Sequence, residues 1–224
     1  MTLKIGKLIR SRRKTISAEI NPDAELVIRA PGWVSEKFIT DFIQERKSWI
    51  LKHQSLALEK KKTRPDYQYI EGEKFLFLGK YYPLRIGEFP QSRLRLVDGE
   101  FCLSALYANQ ARKELIAWYK EQAALEISGR ADMYALEAGV QYQSIRINQA
   151  ARQWGSCTAG NNLSFTWRLI MAPLFVVDAV VVHELMHIKE KNHSRAFWNA
   201  VKNIYPQYDQ VGKWLDANSH LLHL

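Results

Sequence analysis

The sequence predicts an α+β fold in which β-hairpins and a helix come first and a mainly helical core follows. Three observations predict it. Apolar residues alternate around turn-forming dipeptides through about the first hundred residues, a long helical periodicity starts near Ser104, and two further helical stretches follow Pro173.

In chain order, Ile16, Ala18 and Ile20 alternate with polar neighbours, Asn21, Pro22, Asp23 and Ala24 supply a turn, and Leu26 and Ile28 resume the alternation: a hairpin. Pro31 and Gly32 end it. Residues 35–58 read as a helix, with Phe38, Phe42, Trp49 and Ile50 spaced to line one face, and residues 60–65 read as a surface linker. Gly79 and Lys80 mark a second hairpin, and Asp98-Gly99 marks a third through a tight type I′ turn. Residues 104–137 carry the long helical pattern, with Leu115, Trp118, Tyr119, Leu125 and Ile127 among its apolar positions and Gly129 as a candidate break. Residues 144–148 and 163–167 read as strands, and residues 174–191 and 194–205 as helices. The expected organisation is a basic, β-rich region over 1–105 and a core over 106–224.

Composition bounds the function. Of 224 residues, 47% are hydrophobic and 25% charged, which fits a folded globular chain and excludes a disordered or fibrous one. Cys102 and Cys157 are too few for a disulfide framework. Residues 1–14 are basic but lack the apolar stretch of a signal peptide, and the longest apolar run, 175–182, is interrupted by Asp178 and too short to cross a bilayer. A cytoplasmic protein without a membrane partner is expected. Net charge is +9, and residues 1–64 carry 15 Lys or Arg against 7 Asp or Glu, so nearly all of the excess lies there. Such an end attracts nucleic acid or another acidic partner. It serves equally as a solvated face, and no helix-turn-helix, zinc-finger or ribonucleoprotein signature accompanies it.

The chemistry sits in His183-Glu184-Leu185-Met186-His187, an HExxH pattern inside a helical stretch. One helical turn separates the two histidines, so both imidazoles leave one face about 5–6 Å apart at their origins. That spacing lets two ring nitrogens meet one Zn²⁺ at about 2.0–2.1 Å. Glu184 points to the side, where it reaches a zinc-activated water without ligating the metal. A catalytic zinc has three protein ligands and an open position. His193 is the third candidate, with Glu190 as its rival. Ten residues of continuous helix would carry His193 about 15 Å away. The helix must therefore end near Asn192, a residue that tolerates the left-handed conformation, and Ser194 must cap a new helix. Glu184 would take the water's proton and deliver it to the leaving amine. Arg152, Tyr205 and His220 are candidates to support the oxyanion, each with a structural alternative. Cys157 is a candidate latent zinc ligand or, more simply, a small residue packed beside Gly155.

These blocks together carry a resemblance. Trp154-Gly155-Ser156-Cys157, then Leu163, Pro173, residues 181–187 and Asn192-His193-Ser194-Arg195-Ala196-Phe197-Trp198 resemble the YgjP-like metallopeptidases and, more distantly, the WLM and SprT-like families. The resemblance is close over 144–205. It implies a zincin-like peptidase core acting on protein or peptide substrates, Zn²⁺ held by His183, His187 and His193, and Glu184 as the catalytic base. It also implies that the Trp154–Cys157 block (154–157) and the strand at 163–167 border the cleft. Gln153 departs from the basic residue found in many relatives. Two alternatives stay open: a protease brought to nucleic acid by its basic amino-terminal region, and a zinc-stabilised binding module without catalysis, against which the intact Glu184 speaks.

Overall fold

Turn chemistry places the strands. In the computed structural model, which describes residues 5–89, 93–151 and 153–224, the Asn21 side-chain oxygen accepts from the backbone N–H of Asp23 (3.0 Å) and Glu25 (2.8 Å). This turn joins β2 (Ser17–Ile20) antiparallel to β3 (Leu26–Pro31). A strand that the alternation did not mark, β1 (Lys7–Ser11), adds parallel to the other edge of β3. The expected helix over 35–58 is two helices, α1 (Glu36–Glu45) and α2 (Lys47–Thr63), parted at Arg46, whose backbone leaves the helical region. Ser35 caps α1 by accepting from Phe38 N at 3.2 Å. Because the break resets the helical phase, Phe42 and Ile50 reach the core with Leu26, Ile28 and Ile43, whereas Phe38 and Trp49 stay exposed. The lysines at 60–62 are the last turn of α2, and the expected linker over 60–65 is borne out at its end, where the chain divides after Arg64.

The chain divides into two compact units between Arg64 and Pro65, well before the expected boundary at 105. The reason is packing. Strands β4 (Lys74–Phe77), β5 (Lys80–Gly87), β6 (Leu94–Val97) and β7 (Glu100–Ser104) bury Phe75, Phe77, Phe101 and Leu103 in the same core as the helices that follow. Their turns, Leu78-Gly79 and Asp98-Gly99, have positive φ at both positions, the type I′ geometry.

A 3-10 turn, Ala105–Gln110, leads into α3 (Ala111–Ala138), which runs through Gly129 unbroken and ends on Gly139 in the left-handed conformation. Every fourth residue of α3 from Leu115 to Ala135 is buried, Tyr119 included, whose hydroxyl donates to the Leu76 carbonyl at 2.7 Å. That one line of small and apolar side chains explains why Gly129, off the line, does no harm. Leu125, also off it, is exposed. A three-stranded sheet follows, β8 (Ser144–Asn148), β9 (Gly155–Cys157) and β10 (Asn162–Thr166), in the order β8-β10-β9. After a 3-10 turn, Trp167–Met171, come α4 (Leu174–Lys189), α5 (Arg195–Ile204) and an unanticipated α6 (Asp209–Asn218). Asp178, which interrupts the apolar run of α4, pairs with Arg130 of α3. Among the described residues no helix is long and apolar enough to cross a membrane.

The β4–β5 turn sets the start of α4. Leu78 N and Gly79 N donate to Ile170 and Met171 carbonyls at 2.9 and 3.0 Å. Gly79 has φ +78, and a Cβ there would lie 2.7 Å from Pro173 Cγ, at the helix N-terminus. Gly79→Ala should therefore lower stability by about 2 kcal/mol, read as a lower urea midpoint with an unchanged slope.

Candidate metal centre

The centre starts from where α4 stops. Glu190 takes an extended conformation (φ −128°, ψ 104°) while its N–H still donates to the Met186 carbonyl at 2.9 Å. The stop therefore falls two residues before Asn192, and Asn192 is not among the left-handed residues. Ser194 then caps α5 as expected, its hydroxyl accepting from Phe197 N at 3.2 Å. Between the two helices the chain doubles back. His183, His187 and His193 each bring one ring nitrogen to a common region, all within 4.8 Å of one another, and the Nε2 atoms of His183 and His193 are 3.0 Å apart.

Hydrogen bonds fix how two of the rings face it. His187 Nδ1 lies 3.0 Å from the Glu190 carbonyl oxygen. A carbonyl only accepts, so Nδ1 carries the proton and Nε2 keeps its lone pair. His183 Nδ1 meets the Tyr208 hydroxyl at 2.9 Å, which holds that ring in the same orientation. Burial, with the two neighbouring imidazoles adding to it, lowers the His183 pKa to about 4, so this ring is neutral at pH 7. Burial also lowers that of His187. Phe197, fully buried, stacks on His187 at 4.5 Å between centroids and stands edge-on to His183 and His193 at 4.9 and 4.8 Å, while Trp198 stacks on His193 at 5.5 Å.

The donor set fits a zinc ion. Tetrahedral Zn–N bonds of about 2.0–2.1 Å put two ligand nitrogens about 3.3 Å apart, near the 3.0 Å found for His183 and His193. The three donors are imidazoles, and those of His183 and His187 have their second nitrogens occupied, as in metal-ligating histidines generally.

Glu184 is buried at 6% exposure, and loss of solvent raises its pKa to about 7. Its side chain lies against β9. A Cβ on Gly155 would meet Glu184 Cγ at 2.6 Å and Oε1 at 2.7 Å, so only glycine leaves room for the carboxyl.

The sequence profile of the YgjP-like, metallopeptidase domain matches residues 14–218. The chain belongs to this family. Among curated proteins, UTP pyrophosphatase of Escherichia coli (strain K12) is 45% identical over 40 residues, which are 18% of this chain and 24% of that protein. The match thus spans about a quarter of the curated relative. Among solved structures, the metallopeptidase zymogen of Pyrococcus abyssi abylysin overlaps at a TM-score of 0.39 with 15% identity, covering 41% of this chain and 93% of that one.

Within this YgjP-like chain the remaining candidates fall away from the centre. Glu190 serves through its backbone carbonyl and is absent from the group of converging ligand atoms. Cys157 lies outside that group too, its thiol donating to the Thr158 carbonyl at 3.5 Å. Burial raises its pKa, which disfavours a thiolate. Tyr205 donates to the Phe175 carbonyl at 3.0 Å, bracing α5 against the first turn of α4. His220 sits in the 3-10 turn Ser219–Leu221 and does not join the three histidines. Arg152 lies outside the described residues. Two residues that matter here carried no usable sequence signal. Tyr208 heads α6 and reaches His183 across 25 positions, and the steric role of Gly155 depends on a contact with a helix 29 residues on. The Trp154–Cys157 block was the nearest pointer to the second.

Tyr208→Phe removes the hydroxyl that orients the His183 ring through Nδ1, so zinc affinity should fall about 10–100-fold, measured by competition with a chromogenic chelator. Glu184 predicts a pH dependence of the metal-free protein. A pKa raised to about 7 from 4.5 in the fold means stability held below pH 4.5 and lost as pH rises through 7. Removing that ionisation in Glu184→Gln should therefore stabilise the metal-free protein by about 2 kcal/mol more at pH 8 than at pH 4.5. Urea melts of both proteins at the two pH values measure the difference. His183 titrates in both proteins and drops out of the comparison.

Proposed function

We propose that the chain is a zinc-dependent peptidase in which His183, His187 and His193 hold the ion and Glu184 is the general base. The observation that carries this reading is the meeting of three imidazole nitrogens beside a buried carboxyl that titrates near neutrality. When bound, zinc would acidify a water at its open position and polarise the scissile carbonyl.

The residues of the chain supply the rest. Glu184, with its pKa near 7, is poised both to accept the water's proton and to return it to the leaving amine nitrogen. Gly155 keeps that carboxyl in place by giving it room. Tyr208 and the Glu190 carbonyl orient His183 and His187. Tyr208 keeps its own proton, since burial, and then the charge of Glu184, raise its pKa to about 12. Extended peptide is the favoured substrate class because β9, the strand against Glu184, pairs with β10 on one side only among the described residues. An open strand edge offers backbone groups to an extended chain.

The local identity to a UTP pyrophosphatase supports a second reading, hydrolysis of a nucleotide phosphoanhydride at the same centre. A water activated beside Glu184 attacks phosphorus as it does a carbonyl carbon, so the substrate decides between them.

Zinc-loaded Glu184→Gln should keep about one zinc per chain and lose peptide hydrolysis at least about a hundredfold, followed with a casein or peptide-library assay with and without chelator. Full activity in the zinc-loaded variant would remove Glu184 from the base role. Chelator-sensitive cleavage of UTP with no peptide cleaved would transfer the function to the second reading, and no hydrolysis of either would leave a zinc-stabilised binding module.

A further inference from the structure

The first unit carries basic side chains and a displayed tryptophan along one edge of its sheet. β1 is an edge strand, paired with β3 alone among the described residues, and its end runs into Arg12, Arg13 and Lys14. Arg10 is committed to the backbone: its Nη1 donates to the carbonyl oxygens of Pro31 (3.3 Å), Gly32 (3.2 Å) and Val34 (2.7 Å). This bracket fixes the turn after β3 and holds out Trp33, which is 80% exposed. Arg10, Ser11, Arg12, Arg13, Gly32 and Trp33 line a shallow groove of about 390 Å³.

No carboxylate lines this groove among the described residues. None of the ion pairs among those residues includes Arg10, Arg12, Arg13 or Lys14. The positive potential there is therefore uncompensated by neighbours, while the lysines at 61 and 62 on α2 have Asp23 and Glu59 as partners. An indole left almost bare beside unpaired guanidinium groups matches one ligand chemistry well: an anionic backbone carrying flat bases. Single-stranded nucleic acid is recognised by a cationic track for phosphates and an aromatic face for an unstacked base. An acidic polypeptide would use the charge and leave the indole idle. A duplex keeps its base faces stacked out of reach of a tryptophan on a shallow surface.

We propose that this groove binds single-stranded nucleic acid, with Trp33 stacking on a base and Arg12 and Arg13 holding phosphates. Arg10 is a positioning residue for the turn that presents Trp33. The proposal is independent of whether the histidine centre cleaves peptide or phosphoanhydride bonds.

The test is fluorescence anisotropy of the full-length chain with labelled oligothymidylate and oligouridylate of about twenty nucleotides, a labelled duplex of the same length and labelled polyglutamate. Binding to the single strands should weaken steeply between about 50 and 200 mM salt. Trp33→Ala should weaken it about tenfold with the salt slope unchanged, and Trp33→Phe should restore most of the loss. The double variant Arg12→Ala, Arg13→Ala should make the slope of log affinity against log salt shallower by about 1.4. Circular dichroism melts of the Trp33 variants should match the parent, because Trp33 is 80% exposed. Absence of single-strand binding at 50 mM salt would overturn the proposal. So would equal affinity for polyglutamate or duplex together with an indifferent Trp33→Ala, which would leave a merely cationic surface.

Discussion

The centre depends on one constraint: a chain reversal holds three imidazole nitrogens facing one another, close enough for a single cation to lie between them. His183 and His193 approach to 3.0 Å at Nε2, and the Glu190 carbonyl forces the lone pair of His187 onto the same side. Nothing in helix geometry alone produces that meeting. It needs α4 to end at Glu190, the chain to reverse within four residues, and Ser194 to restart a helix whose Phe197 supports all three rings from below. Once the reversal is built, Glu190 has a double duty. The residue that leaves the helix is also the one whose carbonyl sets the His187 tautomer.

The second coupling runs between the helix and the small sheet. Glu184 is next to His183 in sequence, yet its chemistry is set by Gly155, a residue of β9. By lacking a side chain, Gly155 lets the strand press close enough to strip water from the carboxyl and raise its pKa to about 7. A buried, unionised carboxyl costs the metal-free fold little at low pH and more as pH rises. The same burial makes it a better proton carrier near neutrality. Stability and reactivity here trade against one another through a single contact. The strand that provides the contact pairs with β10 on one side only among the described residues.

Charge is partitioned between the two compact units. The excess of basic residues sits in the first, around Arg12, Arg13 and a displayed Trp33, while the histidine centre belongs entirely to the second. Membership of the YgjP-like metallopeptidase family covers residues from both. The identity to UTP pyrophosphatase extends over only 40 residues, about a quarter of that protein.

Much of this was legible in the residues themselves. The Asp98-Gly99 turn, the 3.6-residue pattern of α3 and the one-turn spacing of His183 and His187 are local, each governed by backbone conformations that neighbouring residues impose. So was the need for a chain reversal before His193, since a continuous helix carries that residue out of reach. What the sequence left undecided was everything set by contact across distance. It put the helix stop at Asn192, whereas the backbone leaves the helix at Glu190. It joined α1 and α2 because a phase break at Arg46 leaves no compositional mark. It set a boundary at 105 because strand and helix patterns change there, although Phe75, Phe101, Tyr119 and Trp167 share one core. Tyr208 and Gly155 meet His183 and Glu184 only through tertiary folding. Periodicity records which way a side chain points, and only the folded chain decides what it meets.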